Sequence, residues 1–134
     1  MKTWIIAYAA AAAAFLALDA VWLGFVARDF YRTQMGDLMS PNPNLVAAAA
    51  FYALYVVGVV WFAIAPALAS GSWTTALVSG LLFGLIAYAT YDLTNLAVVR
   101  GFPTTLALVD MAWGAALTAA AATAGFWAAR AFGE

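Results

Sequence analysis

The chain has 134 residues, of which 68% are hydrophobic and 8% charged, with a formal net charge of −1. A soluble domain of this size could not bury so much apolar surface, and nothing in the charge balance offers a basic footprint for nucleic acid, so the chain reads as one compact domain integral to a membrane. Cysteine and histidine are absent, which excludes disulfides, thiol catalysis, thiolate or imidazole metal sites, histidine-ligated haem and Ser-His or Cys-His triads.

A spanning helix takes about 20 mostly apolar residues. The first such run covers 3–26. Lys2, an apolar core and "ALDA" resemble a signal peptide, but the apolar run continues through "VWLGFV" beyond any cleavage point, so it is read as a span. Next comes the one long connection, 27–44, "ARDFYRTQMGDLMSPNPN". Arg28, Asp29, Arg32 and Asp37 alternate there with Phe30, Tyr31, Met35, Leu38 and Met39. The pattern predicts a short helix in the headgroup zone, ended by Pro41 and Pro43. An interfacial anchor is the plainer reading of this loop, and a lid over a site beneath it the sharper one.

The second span is 45–65, stopped by Pro66; the third is 74–99; the fourth, opening after Pro103, is 104–129. The short connections 67–73 and 100–103 make neighbouring helices antiparallel. The expected fold is all-α, an integral membrane four-helix bundle. The alanine runs Ala9–Ala14, Ala47–Ala50 and Ala119–Ala122 are either tight-packing faces or drift towards alanine in lipid. "LDAVW" (18–22) and "VDMAW" (109–113) share Asp-x-x-Trp, which is too short to argue a duplication.

Of six acids, Glu134 is terminal and Asp29 and Asp37 lie in the long connection, leaving Asp19, Asp92 and Asp110 inside spans. Asp19 and Asp92 each precede the end of their span by seven residues, and Asp110 follows the start of its span by six. At the rise of an α-helix all three sit about 10 Å below the same surface. Ionisable groups at such depth rarely face lipid and commonly mark a site or pathway; the plainer alternative is that each bonds a neighbouring helix and fixes packing.

Tyr88, Tyr91, Asp92 and Asn95 share a helix face, which extends back to the G-x-x-x-G pair Gly80 and Gly84, where another helix can approach closely. Asp110 shares its face with Trp113, Gly114, Leu117, Thr118 and Ala121, and Asp19 neighbours Phe15, Trp22 and Leu23. The candidate binding or proton-relay set is therefore Asp19, Trp22, Tyr88, Tyr91, Asp92, Asn95, Asp110 and Trp113. No base lies at this level, so Arg28 and Arg100, near the same surface, are the candidate counter-charges. Desolvation and mutual repulsion predict a coupled set with at least one neutral carboxyl at pH 7. Three aspartates could hold a hard cation, but no phosphate-substrate motif accompanies them; no metal and no cofactor are expected. The lysines and arginines divide almost evenly between the two sides and leave orientation open, whereas Trp4, Trp61, Trp73 and Trp127 form an interfacial belt away from the aspartates.

"LDAVWLG", "YDLTNLAVVRGFP" and "VDMAWG" resemble the signature stretches of a bacterial family of predicted membrane proteins, the domain-of-unknown-function family numbered 2177. The resemblance covers nearly the whole chain and implies four spans in an inner membrane with no established activity. The residues themselves favour binding, or proton-coupled transport, of a small polar-headed or cationic amphiphile. The alternatives are a lipid-modifying enzyme or its accessory subunit, and a structural subunit of a membrane complex contacted at the G-x-x-x-G face. Membrane lipid is the expected surrounding, and self-association is left open.

Overall fold

The structure, a computed structural model, describes residues 1–133. It consists of α1 (Lys2–Val26), α2 (Arg28–Met35), α3 (Leu45–Ser70), α4 (Trp73–Val98) and α5 (Thr104–Phe132), with no strand among the described residues. All but α2 are long and apolar enough to cross a membrane, so the all-α four-span bundle expected from composition is the fold found.

Two boundaries that the sequence places at prolines lie elsewhere. Pro66 does not stop α3, which continues to Ser70. A proline in a helix lacks a donor and crowds the carbonyl four residues back. Here Val60–Ile64 forms a π-turn, and the Ala65 N–H bonds the Val60 carbonyl, five residues back. The ladder has therefore already slipped by one residue when Pro66 arrives, and the helix runs through it. It ends instead at Gly71, whose φ of 70° is the left-handed conformation that glycine adopts without strain. Likewise α2 ends at Gly36, with φ 54°, before Pro41 and Pro43 are reached. Those prolines lie in the irregular approach to α3, whose Asn44 side chain caps the helix by accepting from the Ala47 N–H at 3.0 Å.

The central helix is α5. Half of its most apolar window is buried (50%), against 17% for α1 and α3 and 22% for α4. Small residues permit this, since Gly114, Ala115, Thr118, Ala119, Ala121, Ala122 and Gly125 are all buried. On one side α5 meets α4 along a seam of residues four apart. Ala76, Gly80 and Gly84 of α4 are buried, and the two glycines face Ala122, Thr118 and Gly114. A Cβ at Gly80 would stand 2.9 Å from both the Ala122 Cβ and the Thr118 carbonyl. One at Gly84 would strike the Gly114 carbonyl, and one at Gly114 would enter the Tyr88 ring. On the other side Gly125 takes the Ala7 backbone and the Ile64 side chain, and Ala7, Ala11 and Phe15 of α1 are buried there. The G-x-x-x-G pair is thus consumed inside the bundle, where α5 makes the close approach that the two glycines permit. The alanine runs divide in the same way: Ala11, Ala119, Ala121 and Ala122 are buried, whereas Ala47–Ala50 face mostly outward.

At one end α2 folds over the bundle, with Ala27 and Tyr31 packed on Phe102, Leu106 and Ala107. At the other, Trp4, Trp61, Trp73 and Trp127 are exposed, in the places an interfacial belt requires.

The seam makes a direct prediction. Gly84→Ala forces a methyl group onto backbone and should destabilise the bundle by about 1–3 kcal/mol. Gly24→Ala, with nothing within 4 Å of its Cβ, should leave stability unchanged. Denaturant unfolding of both variants in detergent micelles, followed by circular dichroism, measures the difference.

Candidate functional site

The α4 face that supplies the seam continues past Gly84 to Tyr88 and then Asp92, four residues apart. Where the small residues stop, the backbones are already close, and the Asp92 carboxyl comes within electrostatic reach of that of Asp110. Asp92 is wholly buried, and no donor reaches either of its oxygens. Its one carboxyl neighbour has no hydrogen to give when ionised.

Asp110, half-buried, accepts from the Tyr31 hydroxyl of α2 at 2.7 Å. The Trp22 indole N–H donates to the same hydroxyl at 3.1 Å. Trp22 stacks on Trp113, with centroids 4.4 Å apart and planes 8° from parallel. Trp113 in turn donates to Asp19 Oδ1 at 3.1 Å, and the Tyr52 hydroxyl donates to Asp19 Oδ2 at 2.7 Å. Asp19 is therefore a carboxylate with both oxygens engaged, and Asp92 is one with neither. The two Asp-x-x-Trp stretches now have a physical meaning. Residues three apart share a helix face. Because α1 and α5 run antiparallel, Asp19 lies beside Trp113 while Trp22 reaches, through Tyr31, to Asp110. The motifs brace each other across the helix pair.

Tyr31 lies outside the spans. Burial raises its phenol well above the ordinary value and the Asp110 carboxylate adds to this, with the Trp22 hydrogen bond opposing. It stays a neutral hydroxyl, and hence a donor to Asp110, throughout the physiological range. Below these groups Tyr55 shares a hydrogen bond with the Thr118 hydroxyl at 2.9 Å, and Phe15 packs against the Tyr52 and Tyr55 rings at 5.5 and 5.4 Å. Tyr88 lies over Gly114, with its hydroxyl within electrostatic reach of Asp19 and Asp110.

The residues picked out from the sequence are thus only partly brought together. Asp19, Trp22, Tyr88, Asp92, Asp110 and Trp113 converge. Tyr91 is exposed and sets its ring edge-on to Phe102 at 6.1 Å, and it reaches the group only from the rim, beside Asp110, with the half-buried Asn95 next to it. Arg28 and Arg100 are both exposed, one at the start of α2 and the other in the turn beyond α4. The headgroup region is the cheaper place for an unpaired guanidinium. Tyr31, Tyr52 and Tyr55 belong to the site although spacing and depth do not point to them. The available signal is the tyrosine pair in "FYALY", since a hydroxyl inside a span has to find a partner in a neighbouring helix. Among the described residues no three acids are placed to hold a metal ion, Asp19 being occupied by its two donors.

Beside the carboxyl pair is a cleft of about 320 Å³ bounded by Phe51, Ala87, Tyr88, Tyr91 and Asp110. Phe51 and Tyr91, on α3 and α4, are both exposed, so the cleft opens sideways, towards lipid, between those helices. Its walls are aromatic and its charged group is Asp110.

A family model described as "Predicted membrane protein (DUF2177)" matches residues 4–127. No curated protein matches the chain, and no solved structure does.

The Tyr31 hydroxyl, bonded to Asp110 and Trp22, is a polar attachment of α2 to the bundle. Hydrogen bonds to charged groups contribute about 1.5–3 kcal/mol. Tyr31→Phe should therefore speed amide hydrogen exchange across 28–35 by roughly tenfold or more. Exchange within the α4–α5 seam should not change.

Proposed function

The chain belongs to the DUF2177 family of predicted membrane proteins, and from that premise we propose that it binds a small cationic or polar-headed amphiphile from the lipid of a bacterial inner membrane, exchanging it for a proton held between Asp92 and Asp110. The observation that carries the reading is the lateral cleft, with Asp110 at its inner side and Asp92 behind it without a donor. Two facing carboxylates with no cation between them repel, and the least costly remedy is one proton shared by the pair. An ammonium headgroup arriving at Asp110 supplies the missing positive charge and makes that proton dispensable. Tyr88, Tyr91 and Phe51 give the upper part of an acyl chain and its headgroup an aromatic lining. Coupled binding of this kind is what a proton-driven transporter needs, and it serves equally well in a carrier that only binds.

The competing readings are less well served. Acid–base chemistry on a lipid double bond needs both groups within reach of the substrate, and of the pair only Asp110 lines the cleft. A structural-subunit role would use the glycine face, which α5 already covers.

Dodecylammonium is a suitable probe, titrated into the protein in maltoside micelles with tryptophan fluorescence as readout. The wild type should bind more tightly as pH rises and the competing proton leaves. Asp110→Asn should weaken binding roughly tenfold to a hundredfold, the loss expected for a charge-assisted contact, and Asp92→Asn should flatten the pH dependence. Equal binding by wild type and Asp110→Asn would overturn the proposal.

A further inference from the structure

The end of the bundle away from the carboxylates is built for a different ligand. Every described acid, namely Asp19, Asp29, Asp37, Asp92 and Asp110, lies towards the α2 end, whereas Lys2 and Arg130 lie at this one. Between the start of α1 and the ends of α3 and α5 is a cavity of about 700 Å³ whose lining includes Thr3, Trp4, Leu68, Gly71 and Arg130. Arg130 is held in place from two sides. It donates to the Gly71 carbonyl at 2.9 Å, and its guanidinium lies 5.6 Å from the centre of the Phe126 ring. A guanidinium has five N–H groups in a fixed fork, so one bond to a carbonyl leaves several for an anion.

The cavity does not end there. Trp4 and Ala65 also line a second space, an apolar groove of about 500 Å³ between α1 and α3, together with Tyr8, Val57, Val60 and Trp61. From Ala65 to Val57 the groove follows α3 for roughly 12 Å. Near its deep end the Tyr8 hydroxyl bonds the Ala53 carbonyl at 2.9 Å and ties α1 to α3. A pocket whose one charged side chain among the described residues is Arg130 therefore leads, at the depth of the tryptophan belt, into an apolar channel of acyl-chain character.

We propose that this is a binding site for an anionic phospholipid, with its phosphate at Arg130 and one acyl chain along the groove from Trp4 to Val57. Charge selects the headgroup, since among the described residues the pocket offers an anion the Arg130 guanidinium and offers an ammonium no carboxylate. The groove selects a lipid over a free phosphate, because a soluble anion leaves it empty. The site shares no residue with the Asp110 cleft, and its assignment does not depend on what that cleft binds.

The experiment uses the full chain in maltoside micelles, with retained lipid counted by native mass spectrometry. The probes are dioleoylphosphatidylglycerol, dioleoylphosphatidylcholine and soluble glycerol 3-phosphate. The wild type should retain phosphatidylglycerol over phosphatidylcholine by roughly fivefold, the effect of one well-placed cation at a lipid surface. Arg130→Gln should abolish that preference, and Arg130→Lys should keep most of it, which preserves the test should the glutamine variant fold poorly. Val57→Trp, which fills the groove without touching the headgroup pocket, should reduce retention of both lipids. Equal retention of the two lipids by the wild type, or an unchanged preference in Arg130→Gln, would overturn the proposal. Displacement of phosphatidylglycerol by an equal concentration of glycerol 3-phosphate would also overturn it, by showing a site for soluble anions.

Discussion

The close approach of α4 and α5 governs the rest of this molecule. Lipid tails are as apolar as leucine, so spanning helices gain little from burying large side chains against each other and associate where small residues let their backbones meet. Gly80, Gly84, Gly114 and Thr118 form such a contact. Once it forms, the positions next along the same faces are committed. Tyr88 must lie over Gly114, and Asp92 must meet Asp110. The acidic pair is a consequence of helix packing continued beyond the last glycine.

Around that pair the remaining helices supply what the seam lacks. From α1 and α5 come the reciprocal Asp-x-x-Trp stretches, whose stacked indoles join the Asp19 side to the Asp110 side. From α2 comes Tyr31, a polar contact of the helix that covers this end, and from α3 come Tyr52 and the wall of the cleft. Asp19 with two donors and Asp92 with none are opposite solutions to the same problem, a carboxyl group in a medium that does not solvate it. The first suits a fixed anion that holds the architecture. The second suits a group whose proton occupancy responds to what occupies the cleft. Charge is divided along the bundle as well, with the described acids at the α2 end and Arg130 shaping the other.

Much of this is written in the chain in readable form, because membrane-spanning helices obey few rules. Length and apolarity locate the spans, and the fixed rise of an α-helix is enough to put Asp19, Asp92 and Asp110 at one depth. Helix rotation and hydrogen-bond register are harder to read. Pro66 looks like a terminator because the π-turn that admits it has no sequence signature. Arg28 and Arg100 look like counter-charges because they are near in depth, but depth does not say which way a side chain faces. Tyr31, Tyr52 and Tyr55 resemble any aromatic residue in an apolar run until the partners of their hydroxyls are known. The Asp-x-x-Trp repetition is visible in the sequence, yet it acquires a meaning only when α1 and α5 are placed antiparallel.

The proposed exchange requires one proton on the pair that Asp92 and Asp110 form where the seam ends. Infrared difference spectroscopy of the protein in lipid nanodiscs tests it at the carboxyl stretch. A protonated-carboxyl band should be present at pH 7 in the wild type and in Asp19→Asn, and absent in Asp92→Asn, where an amide donor replaces the acid and leaves Asp110 ionised. A wild-type spectrum without that band, or a band that survives in Asp92→Asn and disappears in Asp19→Asn, would contradict the account.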